Sequence, residues 1–93
     1  MAVRYTVAEG ILDRSVADEL LVHLFETDDV YVLNGDAKIV FEALKQSSSI
    51  EEVRDLVASR VFCDAVELAA AVDRAVEQMV GAGMIVRVEE PEA

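Results

Sequence analysis

Phe25–Lys45 reads FETDDVYVLNGDAKIVFEALK, and its two halves follow different periods. Behind the acidic pair Asp28 and Asp29, the run Val30, Tyr31, Val32 and Leu33 is β-branched and aromatic, which predicts a strand over Asp29–Leu33. A helix is expected to begin near Asn34 to Asp36. Asn34 or Asp36 can cap it by accepting from backbone N–H groups two or three residues later. Ile39, Val40, Ala43 and Leu44 then share one helical face, with Phe41 toward its flank. A strand running directly into an amphipathic helix leaves a sheet edge beside that helix, and this edge is the first candidate for a working surface.

Upstream, GILDRSVADELLVHLFET predicts two further strands, Ile11–Ser15 and Glu19–Phe25, with a turn near Ala17 and Asp18. With Asp29–Leu33 they form a three-stranded antiparallel meander. Leu20, Val22 and Leu24 fall on one face of the middle strand, and Leu21, His23 and Phe25 on the other. Both faces carry apolar residues, so each is expected to meet something. Val3, Tyr5 and Val7 at period two make residues 1–9 an N-terminal arm or short strand.

Downstream, Gln46–Ser49 is a polar break, and Ser49-Ile50-Glu51-Glu52 fits a capping box that opens a second helix. Ile50, Val53, Leu56, Val57 and Val61 supply its apolar side, and its end is expected near Phe62 to Asp64. The third helix, Ala65–Ala82, carries Leu68, Ala69, Val72, Ala75, Val76, Met79 and Val80 over nearly half its circumference. An arc that wide can serve a core and a second surface. Gly81 and Gly83 suit its end. Met84, Ile85, Val86 and Val88 suggest a short C-terminal strand, and residues 89–93 a frayed tail. The expected fold is therefore α+β: a three-stranded antiparallel sheet, three helices and a short last strand, in one domain over residues 10–88.

Ninety-three residues hold one modest core. Apolar residues make up 54% of the chain but aromatics only 5%, so Val, Leu, Ile and Ala must do most of the packing. No apolar run approaches the ~20 residues that cross a bilayer, and the N-terminus lacks the pattern of a signal peptide. A cytoplasmic protein with no membrane association is the expectation. Nineteen acidic against eight basic residues give a charge of −11, which repels phosphate backbones and argues against nucleic acid as a partner.

The chain carries no signature of catalysis or cofactor binding. Its four glycines open neither a phosphate loop nor a dinucleotide motif. One histidine, His23, and one cysteine, Cys63, cannot build a usual zinc site, and the acidic pairs lack the spacing of a calcium loop. Cys63 reads as an apolar filler and His23 as a packed or half-exposed strand residue. No catalytic residue, metal or cofactor is expected.

Three local words in this order, VYVLNGDAKIVFEAL, SIEEVRDLV and VEQMVGAGMIV, resemble the PqqD-like family, whose members are also called RiPP precursor peptide recognition elements. The resemblance covers roughly Gly10 to Val88. It implies a winged-helix-like domain that is not an enzyme. Such a domain holds the leader of a ribosomally made precursor peptide and presents its core to a modifying enzyme: a radical SAM protein, a cyclase or a protease. The leader is expected to add as a strand beside Asp29, Val30, Tyr31, Val32 and Leu33, in the groove that this strand forms with the third helix. Free N–H and C=O groups on an edge make such addition favourable. Tyr31 and Leu33 share one face, Val30 and Val32 the other, and the resemblance favours Leu33 as core. Leu68, Ala71, Val72 and Ala75 are expected to form the second wall. Asp28, Asp29 and Glu67 can steer a basic leader or enzyme, although exposed ion pairs contribute only about 0–1 kcal/mol each. Other readings are a winged-helix transcriptional regulator and a purely structural subunit of an enzyme complex. A homodimer through paired edge strands is also open to this chain.

Overall fold

The computed structural model describes residues 2–61 and 64–90. In chain order the elements are β1 (Ala2–Val7), β2 (Ile11–Val16), β3 (Glu19–Leu24), β4 (Asp29–Leu33), α1 (Gly35–Gln46), α2 (Ile50–Ala58), α3 (Ala65–Ala82) and β5 (Ile85–Glu90). β2, β3 and β4 form the expected antiparallel meander in that order. Residues 2–7 are a strand that pairs antiparallel with β5 in a separate ribbon. Glu89 and Glu90 hold ladder positions opposite Val3 and Ala2, so these two residues of the expected tail are strand; residues 91–93 lie outside the described residues.

Alternation decides which side of the meander is covered. Leu20, Val22 and Leu24 of β3 are buried with Leu33 of β4, and α1, α2 and α3 supply the rest of the core. α1 contributes Val40, Phe41, Ala43 and Leu44. Phe41 is fully buried, deeper than the flank position its helical angle gives, while Ile39 is only partly buried. α2 contributes Val53 and Val57. α3 contributes Leu68, Val72, Val76 and Met79, a stripe at spacings of four and three that keeps one line along the helix. Met84 and Ile85 complete the core from the chain that leaves α3.

The helix ends follow local chemistry. Asn34 is the first cap residue of α1 but makes no side-chain cap bond. At α2 the capping box is relayed. Ser49 Oγ accepts from the Glu52 N–H at a long 3.5 Å, while the Ser49 N–H goes to Ser47 Oγ at 3.2 Å, and Ser47 Oγ donates to Glu52 Oε2 at 2.7 Å. The Glu51 carboxyl is held below its usual range by its own backbone N–H, then by the Ser49 hydroxyl, which donates to it at 2.9 Å.

α2 ends at Ala58, earlier than expected. The Ser59 hydroxyl donates to the Leu56 carbonyl at 2.7 Å, and the Arg60 and Val61 N–H groups both turn back to the Val57 carbonyl. Phe62 and Cys63 lie outside the described residues. Asp64 caps α3 by accepting from the Val66 N–H at 2.8 Å. At the other end Gly83 adopts φ +88°, and Met84 N–H reaches the Met79 carbonyl at 3.0 Å. That six-to-one bond closes the helix in the way a left-handed glycine allows.

Candidate functional site

Among the described residues β4 has β3 on one side and no strand on the other, and the register shows which of its backbone groups are directed away from β3. The Phe25 N–H donates to the Gly10 carbonyl at 3.0 Å, so Phe25, and by alternation His23, Leu21 and Glu19, bond toward β2. Leu24, Val22 and Leu20 therefore bond toward β4, where their partners are Asp29, Tyr31 and Leu33. Val30 and Val32 are left with their N–H and C=O groups directed away from the sheet. These are the groups an additional strand can use.

The side chains divide in the same alternation. Val30 and Val32 are exposed on the outer face, Leu33 is buried, and Tyr31 packs partly buried against the core. Tyr31 and Leu33 form one wall of a cavity of about 250 Å³ whose other walls are Ala37 of α1, Ala75, Gln78, Met79 and Ala82 of α3, and Met84. The four α3 residues fall at i, i+3, i+4 and i+7, a single stripe of the helix. Two alanines let an incoming chain approach the helix closely, and two methionines line the slot with side chains that adapt to irregular shapes. A free strand edge thus borders a mainly apolar slot. A segment added to β4 would turn every second side chain toward that slot.

The residues expected at this site separate into two groups. Tyr31, Leu33 and Ala75 meet at the slot, and Asp29, Val30 and Val32 complete the strand. Leu68 and Val72 are core residues, and with Ala71 they border a different, small hollow of about 30 Å³ that also touches Val40 of α1 and Val57 of α2. Ala37, Gln78, Met79, Ala82 and Met84 were not anticipated. The helical stripe continued from Ala75 would have found three of them.

At the Asp29 end of the strand, His23 Nε2 lies 2.8 Å from Asp28 Oδ1, and the His23 ring meets Phe25 edge-on at 4.8 Å between centroids. Asp28 adopts φ +58° in this turn, a conformation that aspartate tolerates better than most side chains. Another hollow, of about 420 Å³, lies between β1 and the end of α1, lined by Tyr5, Lys45 and Ser48 among others and by no residue of β4. Among the described residues no group of three or more His, Cys, Asp or Glu side chains could hold a metal. No described helix is long and apolar enough to cross a membrane.

The basic residues of α2 and its end, which a DNA-reading helix would need, are engaged internally. Arg54 Nη2 donates to both carboxylate oxygens of Asp73, each at 2.8 Å, and Arg60 lies 3.7 Å from Glu42.

No curated protein matches this sequence. Two solved structures share its fold. "TbiB1 in Complex with the TbiA(beta) Leader Peptide" superposes with a TM-score of 0.79 at 12% identity, over 95% of this chain and 98% of the other. "Lasso peptide synthetase B1 complexed with the leader peptide" gives 0.77 at 13% identity, over 88% and 96%. The family model described as Coenzyme PQQ synthesis protein D (PqqD) matches residues 19–85, from the first residue of β3 to the first of β5. The chain belongs to the PqqD family.

Proposed function

We propose that this domain binds the leader of a ribosomally synthesised precursor peptide by strand addition to β4 and presents the peptide to a modifying enzyme, with no turnover of its own. The observation that carries the reading is the coincidence of unpaired Val30 and Val32 backbone groups with the slot between Tyr31, Leu33 and α3. Main-chain bonds supply affinity for an extended segment, and the slot supplies selection among side chains. A bound leader loses conformational freedom, so a few apolar anchors must offset its ordering. Both structural neighbours are complexes with leader peptides, which supports a leader as the ligand here.

The site in this reading comprises Asp29 to Leu33 and Ala75, extended by Gln78, Met79, Ala82 and Met84; Leu68 and Val72 support it from the core side of α3, and Ala71 lies exposed one turn before Ala75. The enzyme served is a radical SAM protein, a cyclase or a protease, and the setting is the cytoplasm. The transcriptional-regulator reading finds no support in the internally paired Arg54 and Arg60. The test is a titration, by fluorescence anisotropy, of a labelled leader from the precursor encoded beside this gene. Saturable binding is expected, and its absence removes the assignment.

A further inference from the structure

The outer face of the meander remains uncovered. Leu12, Val16, Phe25, Val30 and Val32 are each between 46 and 58% exposed; register places Leu12, Val16, Val30 and Val32 on the face opposite the core, together with Leu21 and His23, and Phe25, just past β3, meets the His23 ring. Three strands of five or six residues make a face about 20 Å long and about 14 Å wide, on the order of 300 Å². Arg14, Glu19 and His23 share this face with them, so its apolar part is smaller than that area; a mainly apolar face of this size matches the largest patch an ordinary monomer shows, which is often a functional one. A peptide held on β4 would extend it by one more strand, about 4.8 Å, so the face grows when the slot is filled.

The rim states what kind of surface fits. Asp18 and Glu19 stand at the β2–β3 turn, and Glu26 and Asp28 at the β3–β4 turn, all exposed. Among the described residues, Arg14 and His23 are the basic side chains on this face, and His23 is already bonded to Asp28. A second copy of the chain would bring a charge of −11 and the same acidic ends against these, a like-charge contact that disfavours association. The complementary partner has an apolar centre and basic edges.

We infer that the outer face of β2, β3 and β4 is the docking surface for the modifying enzyme, which meets it through an apolar patch bordered by Lys and Arg side chains. The identity of the partner rests on the leader-binding reading; the shape and charge of the surface do not. A standard interface covers about 800 Å² on each partner, so the enzyme must also cover the acidic turns and the strand added to β4.

The test uses Leu12→Thr/Val16→Thr/Phe25→Thr, three changes remote from the slot to a residue that suits strands. Binding of the full chain to the purified modifying enzyme encoded beside its gene is measured by interferometry, and leader binding by anisotropy in parallel. The variant is expected to keep its circular dichroism and its leader affinity while losing about tenfold or more in enzyme affinity. Unchanged enzyme affinity, or no enzyme binding by the wild-type chain with leader present, overturns the inference. A wild-type dimer in sedimentation that the variant dissolves also overturns it, by assigning the face to a second copy. If wild type fails to bind leader yet the variant still loses the enzyme, the leader reading falls and the docking face stands.

Discussion

Val32→Pro separates the two sides of β4. Proline removes one backbone N–H and nothing else from the ladder chemistry, and at position 32 that N–H points away from β3. Proline is tolerated on an edge strand where its missing donor faces solvent. An added peptide can exchange bonds with the N–H and C=O groups of both Val30 and Val32, each bond worth about 0.5–1.5 kcal/mol net. Loss of the Val32 donor removes one of them and leaves a peptide carbonyl unpaired, for a combined loss of about 2 kcal/mol, or roughly thirtyfold in Kd. Tyr31→Pro is the control. It removes the donor that faces Val22, so it is expected to break the β3–β4 ladder and lower the melting temperature. Leader anisotropy and thermal circular dichroism read both variants. If Val32→Pro stays folded and binds leader within about twofold of wild type, strand addition at this edge is refuted.

Three further outcomes follow from other parts of the structure. Ala75→Phe fills the slot beside Tyr31 and Leu33 and should weaken leader binding by about tenfold or more, with helix content unchanged by circular dichroism. Ala17, with φ +55° in the β2–β3 turn, is strained by about 1–2 kcal/mol. Ala17→Gly relieves this but gives back about 0.5–1 kcal/mol in chain entropy, so calorimetry should show a melting temperature a few degrees higher. Because the Glu51 carboxyl is held below its usual range, its ionised form favours the folded state. That contribution is complete above the ordinary carboxylate range and is lost as pH falls through the lowered value. Urea titrations over a pH series should therefore show wild type more stable than Glu51→Gln at neutral pH, with the difference vanishing in acid.

The local periods made most of the elements legible. Alternation in Asp29–Leu33 and in Glu19–Phe25 predicts the meander, and the Ser49 signal places the start of α2. What escaped was relational. The angles of α3 show a wide apolar arc but not which part turns toward which neighbour, so Leu68 and Val72 were expected at the groove when α1 and α2 cover them. Phe41 lies at the edge of its helical face by angle and in the centre of the core by packing. The early end of α2 depends on Ser59 and Arg60 turning back onto the preceding carbonyls, bonds that compete with continuation of the helix. The pairing of Val3 and Tyr5 with Glu89 and Arg87 joins segments too distant for any local pattern to connect.

That ribbon also bears on how the domain acquires its shape. β1 and β5 are separated by all the other elements, and closing a loop of that length must precede any reward from their pairing. Contacts so remote in sequence slow folding. Ala8 N–H bonds the Met84 carbonyl at 2.9 Å, and Met84 lines the slot beside β4. The turn that closes α3 ties the Met84 N–H to the Met79 carbonyl, but the Met84 carbonyl has its partner in Ala8. One bond of this slot wall therefore depends on pairing between the two ends of the described chain.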